Sequence, residues 1–280
     1  MPPLADRIHL ARDRTSGVEA IRARFAGHAY DLHRHDDWLV GVTERGVQDF
    51  FCRGARRHST PGRIILIEPE EAHDGQAGNA GGFAYSMLYL PRPWLKAGLA
   101  DTPGGDPAFP ATLRDDPPLG RAIRAACARL IRPESRLARD AALDAVLHLL
   151  RPHLGRPARP AAIGDAPVAR RARERLRDAM AEDIGADALA RAAGAADRFR
   201  LARAFRAAYG TSPHTYLVQH RLLRARRLLA DGAQPAAVAA ACGFADQSHL
   251  GRWFRRAYGI TPAAYRTCCT GVPDSPPRIG

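Results

Sequence analysis

Apolar positions change their period along this chain. Between about Gly27 and Leu90 they come in short runs, Trp38–Val42, Val47–Cys52, Arg63–Ile67 and Phe83–Tyr89, separated by Gly, Pro and Asp. Short runs bounded by turn residues predict the strands of a sandwich or barrel. Beyond Pro91 the spacing becomes three and four. Leu119, Ile123, Cys127 and Leu130 share one face of a helix over Leu119–Ile131. Leu143, Val146, Leu147 and Leu150 share one face of a second over Ala138–Leu150. Such helices serve as core cover or as a dimer contact, and the Leu143–Leu150 face is the dimer candidate. Residues 152–167, with four Pro and two Gly, read as a linker. A helical pattern then starts near Val168 and runs on to Thr267. The tail 268–280 reads as disordered. The organisation predicted is an α+β chain of two domains: a β-barrel with two flanking helices over 1–151, then an all-α domain over 168–267.

The helical third contains one pattern twice. Leu189–Tyr216 recurs as Val238–Tyr265, displaced by 49 residues, and half of the aligned positions are identical. Internal repetition fixes architecture. Each copy reads helix, Gly turn, helix, Gly, Pro, with Gly194 and Gly243 between the helices. In the second helix of the first copy, Leu201 and Phe205 share a face. At 100° per residue, Phe199, Arg203 and Arg206 lie opposite. The second copy repeats this with Leu250 and Phe254 on one side and Ser248, Arg252 and Arg255 on the other. Pro213–Ala230 predicts an 18-residue connecting helix, ~27 Å long. Its Leu217, Leu222, Leu228 and Leu229 are core candidates. Its Arg224, Arg226 and Arg227 are expected to face phosphate or solvent.

Charge sharpens this picture. The chain of 280 residues carries a formal net charge of +13, and Val168–Thr267 alone hold 18 Arg against 8 Asp and Glu. A cationic excess concentrated in the repeat is the footprint of a polyanion-binding domain. Lys96 is the only lysine; the preference for Arg reflects codon bias, but its clustering does not. Five cysteines with no CxxC pair exclude a disulfide framework and a zinc ribbon. No apolar run reaches the ~18 residues that span a bilayer, and the N-terminus lacks a signal core. A cytoplasmic protein is expected.

The segment Ala241–Arg266 (ACGFADQSHLGRWFRRAYGITPAAYR) resembles the signature of the AraC/XylS family of bacterial transcription regulators. So do Ser212–Leu217 (SPHTYL) and Arg221–Leu229 (RLLRARRLL). The resemblance covers about 100 residues. It implies a seven-helix domain with two helix-turn-helices, each placing a recognition helix in the major groove. By position it adds Ala202, Gln247, His249 and Gly251 to the base-facing set of Phe199, Arg203, Ser248 and Arg252. Arg198, Arg206 and Arg255 complete the candidates for DNA contact. Arg198–Arg200 differs from Gln247–His249, so one subunit is expected to read two unlike half-elements. Where the family usually has a capping Ser, the first copy has Ala196-Asp197, and Asp caps equally well.

His33-Arg-His35, followed by Pro61–His73 (PGRIILIEPEEAH), resembles the two motifs of cupin barrels, the usual effector domain of that family. His33, His35 and His73, with the aromatics Trp38, Tyr85 and Tyr89, are the candidates for effector contact. The Glu that metal-binding cupins place just after HxH is missing, where Asp36-Asp-Trp-Leu-Val40 stands, so no metal or other cofactor is expected. The expected function is a non-enzymatic, sequence-specific transcription regulator with double-stranded DNA and a small-molecule effector as partners. A homodimer and contact with RNA polymerase are expected too. A metal-dependent cupin enzyme and a sequence-indifferent architectural protein are the alternatives. The missing Glu argues against the first, the dissimilar recognition helices against the second.

Overall fold

The computed structural model describes residues 6–99, 107–132, 134–155, 166–182 and 184–271. The chain forms two compact units, residues 1–158 with 256–260 and 267–280, and residues 159–255 with 261–266.

Among its described residues the first unit has ten strands: β1 (Arg7–Arg12), β2 (Glu19–Phe25), β3 (His28–His33), β4 (Trp38–Gly46), β5 (Gln48–Cys52), β6 (Ala55–Ser59), β7 (Arg63–Ile67), β8 (His73–Ala77), β9 (Phe83–Leu90) and β10 (Leu113–Asp115). They pair antiparallel in two sheets, ordered β1-β2-β9-β4-β7-β10 and β3-β8-β5-β6. Three helices accompany them: α1 (Arg92–Gly98), α2 (Pro117–Ile131) and α3 (Arg136–Leu150).

The central strands of the larger sheet, β4, β7 and β9, are largely buried on both faces. Ile21, Leu39, Ile65, Ile67, Tyr85, Met87 and Tyr89 meet Tyr30 and Phe50 of the smaller sheet in one core. Ala20, Trp38, Val40, Val42, Ile64, Leu66, Leu88 and Leu90 point the other way, against the helices, in a second core. Successive side chains of a strand alternate between faces. A strand apolar on both therefore reads as an unbroken apolar run, which is how β4, β7 and β9 read. Cross-strand register keeps the two sets apart: Leu39 sits opposite Tyr89 and Ile67, whereas Val40 sits opposite Leu88 and Leu66.

α2 and α3 are capped by Asp116, which accepts from the Leu119 N–H, and Ser135, which accepts from the Ala138 N–H. Their apolar faces close the second core. Leu143, Val146, Leu147 and Leu150 are all buried there, which overturns the dimer candidate. Each such side chain gains roughly 1.5–3 kcal/mol by burial, and none is free for a partner. β1, β2, β10 and α1 were not anticipated.

Among the described residues of the rest of the chain there are seven helices: α4 (Ala166–Asp178), α5 (Ala186–Ala193), α6 (Arg198–Tyr209), α7 (Pro213–Ala230), α8 (Pro235–Ala241), α9 (Gln247–Tyr258) and α10 (Pro262–Thr270). Leu176, Leu189, Leu201, Phe205, Tyr216 and Leu217 form the core of α4 to α7. The expected linker and tail need trimming. Pro152 and His153 lie in a 3₁₀ turn, with His153 Nε2 2.7 Å from the Asp116 carboxylate, so this segment packs with the first unit. Pro167 already belongs to α4, and Cys268–Thr270 complete α10 rather than opening a tail. The rest of those two expectations, 156–165 and 272–280, lies outside the described residues.

Candidate nucleic-acid interface and ligand cavity

Each repeated unit is a short helix, a left-handed Gly and a longer helix. α5 is followed at once by Gly194 with φ +70°, and Gly243, two residues past the end of α8, has φ +76°. The bonds past each Gly match. The Ala195 N–H donates to Ala190 O at 2.9 Å, and the Phe244 N–H to Ala239 O at 2.9 Å. That six-to-one bond closes a helix end and needs a residue with positive φ, where only Gly escapes a steric penalty. Space adds to the constraint at Gly243, where a Cβ would come within 2.9 Å of the Ala181 Cα.

The longer helices start alike. Asp197 accepts from the Arg200 N–H at 2.7 Å, and Asp246 from the His249 N–H at 2.6 Å. Both are side-chain caps on otherwise orphaned donors. The Arg200 N–H bond, assisted by the charges of Arg203 and Arg200, holds the Asp197 carboxyl below the usual carboxylate range. Leu201, Phe205, Leu250 and Phe254 are buried, each at 1% exposure or less.

The opposite faces are open. Arg198, Phe199, Ala202, Arg203 and Arg206 of α6 are exposed, as are Gln247, Ser248, Arg252 and Arg255 of α9. Phe199 is 61% exposed, an uncommon cost for a large apolar ring, with the Arg198 guanidinium 5.0 Å from its centroid. Gly251 is half-buried, and a Cβ there would meet nothing within 4 Å. Its counterpart one repeat earlier is Ala202, so both helices keep a small residue at the same outward position.

Two expectations are corrected. Arg226 does not face phosphate or solvent; it is 7% exposed, and its guanidinium lies 5.6 Å from the Tyr265 ring centroid. His249 is not an outward reader. Its Nε2 accepts from Trp253 Nε1–H at 2.9 Å, and its ring stands edge-on to Phe244. Arg224 and Arg227 are exposed as expected.

In the first unit, His33, His35 and His73 come together, and all three are buried. Their ring centroids lie 4.5 to 5.2 Å apart. Burial pushes the His73 imidazole down to about 4, which keeps it neutral. His33 and His73 line a cavity of about 20 Å³ with Tyr30, Gln48, Phe50 and Tyr85, among others. Tyr85 and Tyr30 share a 2.5 Å hydrogen bond between their hydroxyls. Burial holds both phenols well above their ordinary value. Trp38 does not join them. One residue before Leu39 in β4, it points to the helix-side core, its ring 5.0 Å from Phe109. Gln48 was missed, although its alternation with Phe50 and Cys52 in β5 marks the inward face.

Residues 15–150 match the family model described as AraC-like ligand binding domain, and residues 189–267 match a helix-turn-helix domain. No curated protein matches the chain. Among solved structures, unsaturated fatty acid-bound ToxT from Vibrio cholerae superposes with a TM-score of 0.56 at 10% identity, covering 97% of each chain. An apo form of a ToxT variant from the same organism superposes with a TM-score of 0.57 at 11% identity, covering 92% of this chain and 100% of that one. The likeness is one of fold. The DNA-binding domain of AdpA, solved with a target DNA, is 33% identical over 36% of this chain and 90% of its own, with a TM-score of 0.34.

A ligand-binding β domain followed by paired helix-turn-helices defines a class, the DNA-binding transcription regulators. Within that class the chain belongs to the AraC family.

Proposed function

We propose that this protein regulates transcription by laying α6 and α9 in two successive major grooves on one side of a duplex, in response to a small molecule held in the barrel. The observation that carries this reading is the doubled geometry: Asp cap, buried Leu and Phe, and Arg203 and Arg252 exposed at equivalent places. Arg reads guanine O6 and N7 in the major groove, and free N–H groups at the helix N-termini can meet phosphate. His33, His73 and Tyr85 line the cavity and are the leading effector candidates, with His35 packed against the two imidazoles. The present volume holds about one water, so a metabolite enters only as the aromatic wall rearranges. Such a rearrangement gives the effector different affinities for two states, which is what a switch requires. Action as a cytoplasmic homodimer that engages RNA polymerase, without catalysis, belongs to the same reading.

The test is a pair of substitutions. Arg203→Ala should lose ~1–3 kcal/mol of binding at one half-element, and Arg252→Ala a similar amount at the other. Fluorescence anisotropy on duplexes with either half scrambled separates them. Equal losses on every duplex would remove the assignment of these arginines to base contacts.

A further inference from the structure

We propose that the first unit carries a second binding site on the helix side of its larger sheet, a cationic groove that takes a small organic anion bearing a carboxylate or phosphate. The groove has a volume of about 640 Å³. Its walls include Arg7 and His9 of β1, Arg22 and Arg24 of β2, Glu44 of β4 and Arg132, the residue after α2. None of these six lines the small cavity of His33 and His73, although Tyr85 borders both.

Strand alternation decides which side chains reach the groove. In β2, Ile21, Ala23 and Phe25 belong to the core between the sheets, and Ala20 to the helix-side core. Arg22 and Arg24 therefore share the side of Ala20. Register sets Arg7 opposite Arg24 and His9 opposite Arg22, and residues directly opposite share a face. The apolar face of α2 packs with Ala20 and ends at Ile131. Past that point the sheet is paved with basic groups instead of apolar ones, and Ile131 and Arg132 form the facing wall.

Charge points to the occupant. Like charges directly opposite each other weaken a sheet, and Arg7 and Arg24 are such a pair, both exposed. Among the described residues the groove holds one carboxylate, Glu44. It lies 3.5 Å from Arg22 and accepts a hydrogen bond from the Ser86 hydroxyl. Arg7, Arg24 and Arg132 have no ion-pair partner among the described residues. Four guanidinium groups against one engaged carboxylate leave a positive basin. Guanidinium forks match the paired oxygens of carboxylate and phosphate. The volume is of the order that holds a metabolite, and Ile131 and Ala84 offer its carbon skeleton a short apolar stretch. A concave basin of this kind favours a small anion over the backbone of a duplex.

The experiment is calorimetric titration of the full chain with citrate, glycerol phosphate and uncharged glycerol. One anion per chain is expected, the first two probes separating the carboxylate from the phosphate source, with no binding of glycerol. Arg24→Gln and Arg132→Gln should each weaken that binding ~10-fold or more. Arg24→Gln should also raise the melting temperature of the ligand-free protein, because it relieves Arg7, whereas loss of a merely structural arginine would lower it. Arg7→Gln repeats both readings from the neighbouring strand. Absence of saturable binding of either anion at millimolar concentration overturns the proposal, and so does equal affinity in the parent and all three variants. Weaker DNA binding by these variants, with no anion bound by the parent, would assign the groove to a nucleic-acid backbone and overturn it as well.

Discussion

Arg226 shows how a single side chain redistributes roles. It lies four residues after Leu222 and three before Leu229, both buried, so the helix carries it inward with them. Its guanidinium ends over Tyr265, where a cation held against an aromatic face is worth ~0.5–2 kcal/mol. Arg226→Ala is therefore expected to lower the melting temperature while leaving the salt dependence of DNA binding unchanged. Exposed Arg224→Ala should do the reverse and reduce the slope of log affinity against log salt by about one. Thermal melts and binding at several ionic strengths separate the two, and a slope change in Arg226→Ala would return it to the phosphate-facing set. The position was legible from helical spacing, but its charge was read first. The turn of His249 was legible too, because Trp253 stands one helical turn on. The inward aim of Gln48 was legible as well, from its alternation with Phe50 and Cys52.

At the scale of elements, α9 carries a glycine at its centre. Gly251 weakens the helix by about 0.5–1 kcal/mol relative to Ala, and no neighbour demands it. Gly251→Ala should raise the unfolding free energy by that amount and yet weaken DNA binding, if a duplex approaches α9 closely there. Tighter binding by the more stable variant would argue against that approach. α2 offers a test by pH. Burial works to raise the Asp116 carboxyl, but the Leu119 N–H and then His153 outweigh it and hold the group below its ordinary value. A depressed carboxyl stabilises the fold above its unfolded value, and the gain is lost as pH falls through the folded one. Asp116→Asn should cost about 1 kcal/mol or less at pH 7. Parent and variant urea curves should converge once the pH is well below the free carboxyl's value of about 3.9, and a gap that persists there would dismiss the ionised cap. The apolar runs of β4, β7 and β9 made those strands readable. β1 and β2 were harder. Arg22 and Arg24 interrupt an inward set whose middle member is only Ala23, and a weak alternation of that kind does not stand out from an arginine-rich background. The seven residues of α1 are too few to display a helical period.

For the whole molecule, the expectation is an asymmetric binding site of about two helical turns for each copy of the chain. Hydroxyl-radical footprinting should show two unlike protected patches on one face of the duplex, and a palindromic pattern within a single copy's footprint would refute it. The division into a β-rich half and a helical half was plain from the change of period, and the doubled unit from its offset of 49. Contacts made by the charged residues were harder to foresee, because a count of arginines does not say which of them fold inward.

The repeat has a consequence for how such a protein changes over generations. Its Asp, Leu and Phe framework is spelled the same in both copies, whereas Arg198 and Phe199 on the open face of α6 are replaced by Gln247 and Ser248 on that of α9. If α6 reads DNA as proposed, substitutions at 198–200 would rewrite one word of the target without touching the packing beneath the other. A promoter and its regulator can thus drift apart and find each other again one half at a time.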